Sequence, residues 1–256
     1  RSYPAGEIIS QLLGLTNIDE KGTEGIELQY DASLSGIPGI KRILRDDHNR
    51  HIENIKIIKS PKPGADLTLS IDLRLQHIAH RALERAIIEN KAYSGSVILV
   101  DAPRGEILAI ANHPTYDNNE RLSLNPELMR NRAIIDMYEP GSSIKPIILA
   151  RAVDSGLYDV TSIIDTSPIK IGSKIIKDDR NHGDVDLATV LKKSSNPGMS
   201  RIGLSLESNA LWEMMSDFGF GKYVTDGFPG ESRGRLHHHT EWGEIGKATM
   251  SYGYGI

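Results

Sequence analysis

Ser142 and Lys145 stand three residues apart in "EPGSSIKP", residues 139–146, just ahead of the apolar run "IILARAV". If a helix begins there, this spacing puts both side chains on one face. A serine hydroxyl becomes a useful nucleophile when a neighbouring base takes its proton. A lysine can be that base once burial or nearby positive potential lowers its pKa from the ordinary ~10.4. The start of a helix adds positive potential, which favours a neutral amine and a developing oxyanion. The same residues also fit a plainer arrangement, in which Ser142 caps a helix and Lys145 is solvated. Pro146 removes one of the first amides of the helix, which leaves the Ser142 carbonyl short of a partner.

Spacing alone does not choose between these readings. A second Ser-x-x-Lys, Ser167 to Lys170, lies in a strand-like run where the two side chains point to opposite faces. A Ser-x-Asn pattern also occurs twice, at Ser123–Asn125 in a polar loop and at Ser194-Ser195-Asn196. Order discriminates. The Ser-x-x-Lys at 142 opens a helix, and Ser194-Ser195-Asn196 follows a later helix, in a Pro-Gly turn.

The elements that must position these residues are legible in outline. Residues 1 to about 60 are rich in glycine and short apolar pairs, with a hairpin expected in "KRILRDDHNRHIENIKII" around Asp47 to Asn49. "SPKPG", residues 60–64, reads as a linker. "DLTLSI" alternates as a strand, and Asp72 is the expected N-cap of a helix over Leu73–Asn90. Its apolar stripe is Leu73, Leu75, Ile78, Ala79, Ala82, Leu83, Ala86 and Ile87. "GSVILVD" and "EILAIAN" form a hairpin through "APRG", and a polar loop fills residues 113–130. A helix runs from about Ser143 to Ser155 and ends at Gly156. "IKIGSKIIKD" is a further hairpin and "DLATVLKKSS" a further helix. Helices and hairpins without βαβ alternation predict an α+β fold.

Composition narrows the chemistry. With 256 residues, 39% hydrophobic, the chain can bury a substantial core. A net charge of −4, aromatics at 5% and no Lys/Arg block argue against a nucleic-acid partner. The lack of cysteine removes thiol catalysis and thiolate metal sites. No apolar run approaches the length of a membrane span. The chain opens at Arg1 without a methionine and reads as a piece of a longer protein.

"MRNRAIIDMYEPGSSIKP", "LKKSSNPGMSRIG" and "ATMSYGYG" together resemble the transpeptidase domain of class B penicillin-binding proteins. The resemblance is nearest to the division-specific, septal enzyme of Gram-negative bacteria. "RSYPAGE", "GTEGIE" and "YDASLSG" are similar to the end of that family's N-terminal pedestal module. The resemblance implies an α+β penicillin-binding (serine β-lactamase-like) transpeptidase fold whose C-terminal part is missing here. It assigns residues 1–63 to the end of the pedestal and residues 64–256 to the N-terminal portion of the transpeptidase domain.

Residue by residue, the resemblance makes Ser142 the nucleophile, acylated by a D-Ala-D-Ala stem peptide of peptidoglycan. It makes Lys145 the general base, Ser194 the proton relay, and Asn196 the amide that holds the acyl donor. The backbone amide of Ser142 becomes one half of an oxyanion hole. Ser143 stands where the family usually has threonine, which keeps the hydroxyl. No metal or organic cofactor is implied. The implied partners are stem peptides, β-lactam antibiotics and division-complex membrane proteins, including a lipid-II-polymerising glycosyltransferase. The implied setting is the periplasmic face of the bacterial inner membrane, held by an N-terminal anchor absent from this chain. A D,D-carboxypeptidase, a β-lactamase-like hydrolase and a non-catalytic penicillin-binding scaffold remain as alternatives.

The family's third motif, Lys-Ser/Thr-Gly, has no counterpart in the chain. That strand should supply the substrate carboxylate contact and the second oxyanion amide, and loss of one such donor typically costs ~3 kcal/mol. The remaining polar clusters read as structural. His237, His238 and His239 are adjacent and cannot all face one ion on a regular element. His77 and His80 share a helix face with charged neighbours, and Asp178, Asp179 and Asp184 lack calcium-loop spacing and read as a solvated turn.

Overall fold

The computed structural model describes residues 2–48, 50–120 and 125–256. Asn49 and Ser123 therefore lie outside the described residues. The chain forms two compact units, Arg1–Asp136 with Gly227–Glu231, and Met137–Asp226 with Ser232–Ile256.

The first unit opens with a 3-10 turn at Gly6–Ile8 and the short helices α1 (Ser10–Leu13), α2 (Gly25–Gln29) and α3 (Asp31–Leu34). Strands β1 (Ile40–Arg45) and β2 (His51–Lys59) form an antiparallel hairpin, as their alternation predicts. "DLTLSI" is not a strand. Its backbone is fastened instead by Ser70 Oγ, which donates to the Ile107 carbonyl at 2.7 Å, and by the Asp72 amide, which donates to Leu108 at 3.0 Å.

Helix α4 (Leu73–Asn90) begins where expected, with Asp72 accepting from the amides of Arg74 and Leu75. Its buried face is Gln76, Ala79, His80, Leu83 and Ile87, while Leu73 and Ile78 are exposed. The expected stripe was thus too wide, and His80 is a buried residue, not part of a polar surface. The face packs on the antiparallel hairpin of β3 (Gly95–Asp101) and β4 (Glu106–His113), through Ala109 and Ala111. Gln76 fills the gap in this apolar face by bonding backbone. Its amide donates to the carbonyls of Ile8 at 2.7 Å and Ile110 at 2.8 Å, and its oxygen accepts from Ile110 N–H at 2.7 Å. These bonds join the N-terminal segment to α4 and β4 within the first compact unit. Short helix α5 (Pro126–Met129) lies in the region expected to be a loop, and α6 (Arg132–Ile135) follows it.

The second unit holds the segments singled out for chemistry. After a 3-10 turn at Gly141–Ile144 come α7 (Lys145–Asp154) and four short strands, β5 (Ile163–Asp165), β6 (Ile169–Ile171), β7 (Lys174–Ile176) and β8 (Asp184–Asp186). β6 and β7 form the predicted hairpin, and β5 pairs antiparallel with β8. Helices α8 (Leu187–Lys193), α9 (Asn196–Ser205), α10 (Ser208–Asp217) and α11 (Glu244–Met250) complete the unit. One core joins them, with Ile148, Val190, Met199, Ile202, Leu211 and Met215 all fully buried. The mixture of helices with antiparallel strands is the predicted α+β class.

Candidate active site

The Ser142 turn is shaped by its flanking residues. Gly141 adopts φ +58°, a left-handed backbone that glycine takes without strain, and opens the 3-10 turn. In that tighter turn the Lys145 amide donates to the Ser142 carbonyl. The carbonyl that Pro146 was expected to strand is therefore satisfied by an i→i+3 bond, which the sequence reading did not allow for. Ser143 Oγ donates to the Pro140 carbonyl at 2.7 Å and is taken up by the turn itself. Ile144, 1% exposed, and the fully buried Ile148 and Ala152 anchor the helix that follows. This leaves Ser142 exposed at the surface and Lys145 fully buried beneath it.

The second segment arrives at the same place from the end of α8. Asp186 caps that helix by accepting from the Thr189 amide, and Ser194 ends it in a left-handed conformation, φ 55° and ψ 40°. This is an uncommon backbone for a residue with a Cβ. It separates the two serines by role. Ser195 is fully buried and caps α9 by accepting from the Gly198 amide at 3.1 Å, whereas Ser194 turns its hydroxyl to Ser142.

Lys145 Nζ donates three hydrogen bonds, to the Ser194 carbonyl at 2.6 Å, to Ser194 Oγ at 2.9 Å and to Asn196 Oδ1 at 2.8 Å. Ser194 Oγ donates in turn to Ser142 Oγ at 3.0 Å. All four residues named from the sequence are thus brought together. Their connection differs from the simple picture of a serine beside its base: Ser142 reaches Lys145 through Ser194. Burial pushes the Lys145 ammonium down to about 8, a shift that the nearby Asp178 carboxylate partly opposes. A neutral Lys145 needs one hydrogen to accept, and Ser194 O–H is the donor within reach. The chain then runs Ser142 to Ser194 to Lys145, which can draw a proton from Ser142.

Sequence reasoning missed Asp178. Its sequence context reads as a solvated turn, yet it lines the same cleft as Ser142, Ser194 and Asn196. Its Oδ1 accepts from the Asn196 amide at 2.8 Å, and its Oδ2 is buried. No local pattern marks this role, because the partner lies on another element. The "SYGYG" segment also touches the turn. The Gly141 amide donates to the Gly253 carbonyl at 3.0 Å, and the Gly255 amide donates to Glu139 Oε1 at 2.8 Å.

The competing patterns fall away from the site. Ser167 donates to Asp165 Oδ2 at 2.7 Å and is held by Arg201, while Lys170 lies on β6. Asn125 caps α5, and its pattern partner Ser123 lies outside the described residues. His237 bonds Glu241 at 3.1 Å, and the rings of His238 and His239 lie tilted against Trp212, with centroids 5.0 and 6.1 Å away. Among the described residues no group of three or more His, Cys, Asp or Glu side chains is placed to hold a metal ion.

Comparison with known proteins identifies relatives of the chain as a whole. The penicillin binding protein transpeptidase domain matches residues 95–256, and the penicillin-binding protein dimerisation domain matches residues 1–69. The chain is 42% identical to the probable peptidoglycan D,D-transpeptidase PbpC of Pseudomonas aeruginosa, over 100% of this chain and 46% of that protein. It is 41% identical to the peptidoglycan D,D-transpeptidase FtsI of Escherichia coli, over 100% of this chain and 43% of that protein. The chain therefore spans less than half the length of these curated relatives. A peptidoglycan synthetase from Bifidobacterium adolescentis superposes with a TM-score of 0.84 at 26% identity, covering 99% of this chain and 47% of that one. With a transpeptidase-domain match over residues 95–256 and full-chain likeness to D,D-transpeptidases, the chain belongs to the penicillin-binding protein transpeptidase family.

Proposed function

We propose that the protein is a peptidoglycan D,D-transpeptidase of septal cell-wall synthesis that works through a serine acyl-enzyme and is a target of β-lactams. The observation that carries this reading is the hydrogen-bond chain from Ser142 through Ser194 to the buried Lys145. In the first step Ser142 Oγ bonds to the carbonyl carbon of the penultimate D-alanine, and the bond to the terminal D-alanine breaks. The Ser142 proton passes through Ser194 to Lys145, and a proton returns along the same chain to the leaving amine. An amine of a neighbouring stem then attacks the ester, loses its proton to the same chain, and restores Ser142.

In this reading Asn196 holds the acyl donor, and the Ser142 backbone amide is one oxyanion donor. The first N–H groups of a helical turn lack intrahelical partners, which leaves such an amide available. Residues 1–63 are the end of a pedestal module and 64–256 the transpeptidase portion. The family matches at 1–69 and 95–256 support that order. Likeness to FtsI supports the septal role. A periplasmic location, an inner-membrane anchor, and a lipid-II-polymerising glycosyltransferase among the division partners belong to the same proposal. No helix of the described residues is long and apolar enough to cross a membrane.

The test is labelling of the full-length protein with a fluorescent penicillin. A stable label that disappears in Ser142→Ala is expected. Rapid turnover of the label would point to a hydrolase, and an unlabelled wild-type protein would sink the acyl-enzyme reading.

A further inference from the structure

Asp178 lies just beyond β7, and its carboxylate joins two parts of the site without being one of the groups that pass the proton. One oxygen, Oδ1, accepts from the Asn196 amide at 2.8 Å. The side chain of the same Asn196 accepts from Lys145 Nζ at 2.8 Å. A single residue is therefore held by Asp178 through its backbone and by Lys145 through its side chain. The other oxygen, Oδ2, is buried and without a hydrogen-bond partner. A carboxylate oxygen kept from water in this way is costly to fold unless a nearby charge compensates it.

We propose that Asp178 is a positioning residue of the Ser142 site, whose carboxylate fixes the turn carrying Ser194 and Asn196 and sets the charge that Lys145 faces. This inference rests on the acyl-enzyme reading given above. The first half follows from the hydrogen bond. Ser194 sits in a left-handed backbone between two helices, a conformation that persists only where its surroundings hold it. The bond from Asp178 to the first residue of α9 is one such hold.

The second half follows from the groups around Lys145. Its direct partners, the Ser194 carbonyl, Ser194 Oγ and Asn196 Oδ1, are all neutral. The charged and titratable groups that line the cleft with Asp178 are Lys177, Asp179, Arg180 and His182 from the loop after β7, and Lys192 and Lys193 from α8. Lys145 carries its proton among these groups at a cost set by its burial. Asp178 is the group whose charge acts to keep it, against burial. The carboxylate thus limits how far the ammonium is destabilised, and a fully neutral Lys145 would lose the third donor that ties Ser194 and Asn196 together.

Two variants of the full-length protein separate these parts. Asp178→Asn keeps an oxygen acceptor for the Asn196 amide and removes the charge; Asp178→Ala removes both. The measurement is the second-order rate of acylation by a fluorescent penicillin across pH 6 to 10, with thermal denaturation alongside. In Asp178→Asn the acid limb of the profile is expected to move down by roughly half a pH unit, which is about threefold in rate on that limb. Its thermal midpoint should stay near that of the wild type. Asp178→Ala should lose about tenfold or more at every pH, as displaced catalytic groups do. A superimposable profile in Asp178→Asn overturns the electrostatic role, and wild-type rates in Asp178→Ala overturn the positioning role. If the wild type itself takes no label at Ser142, the acyl-enzyme reading fails and this inference fails with it.

Discussion

The amide of Gly141 donates to the carbonyl of Gly253 at 3.0 Å, so the residue before Ser142 is held by the "SYGYG" segment more than a hundred residues later. The approach leaves no room for a side chain. A Cβ on Gly253 would lie 1.9 Å from the Gly141 carbonyl oxygen, and Gly253 already has φ +93°. Gly253→Ala is therefore expected to destabilise the protein by about 1–3 kcal/mol through overpacking and backbone strain. Displacement of Ser142 by even ~1 Å should also cost up to about a hundredfold in acylation. Gly255→Ala is the control, since Gly255 has φ +86° but nothing within 4 Å of its would-be Cβ. Equal acylation rates in the two variants, measured with a fluorescent penicillin, would show that the Gly141–Gly253 contact does not shape the turn.

The acylation rate should follow the protonation of Lys145. Burial places its pKa at about 8, below that of an ordinary lysine, and only the neutral amine can accept the Ser142 proton through Ser194. The neutral fraction grows as pH rises through that value. The second-order rate is thus expected to climb about tenfold per unit in the acid range and to level off above pH ~8. Lys145→Arg, which stays charged, should be unlabelled at every pH tested. A flat profile from pH 6 to 9 in the wild type would remove Lys145 as the base.

Much of this site could be read from residue order, and the limits of that reading are physical. The helix start at Asp72 follows from local capping chemistry, and the hairpins from alternation, so these are visible without a structure. The pairing of Ser142 with Ser194 and Asn196 rested on resemblance, since no periodicity links segments that distant. Three features escaped. The 3-10 turn that satisfies the Ser142 carbonyl depends on i→i+3 geometry that Pro146 only hints at. The buried His80 and Gln76 sit on a face whose width depends on what packs against it. Asp178 acts on the backbone of Asn196, a contact between side chain and distant main chain that leaves no pattern in the chain.

The adjacent serines at 194 and 195 should separate stability from activity. Ser195 is fully buried and caps α9, so Ser195→Ala is expected to cost about 1 kcal/mol in stability, the usual value of a cap. Labelling of Ser142 should persist. Ser194→Ala removes the link between Ser142 Oγ and Lys145 Nζ and should lower acylation by about a hundredfold or more, with little change in the thermal midpoint. Reversal of this pattern, with activity lost in Ser195→Ala and kept in Ser194→Ala, would exchange the two roles.

Helix α9 meets the end of α11 where Gly203 faces Ser251, the first residue of the "SYGYG" segment. A Cβ on Gly203 would lie 1.7 Å from Ser251 Oγ and 2.6 Å from its Cβ. Ser251 is fully buried, and its hydroxyl donates to the Lys247 carbonyl at 2.9 Å, so it cannot swing aside without giving up that bond. Gly203→Ala is therefore expected to destabilise by about 1–3 kcal/mol, as overpacking does in other cores. Ser251→Gly alone removes a hydrogen bond and should cost about 1 kcal/mol. In the double variant the new methyl occupies the space that the Ser251 side chain has left, and the total cost should fall short of the sum by about 1 kcal/mol or more. Denaturant unfolding of the four proteins measures this coupling. Simple additivity would mean that the two helices part freely.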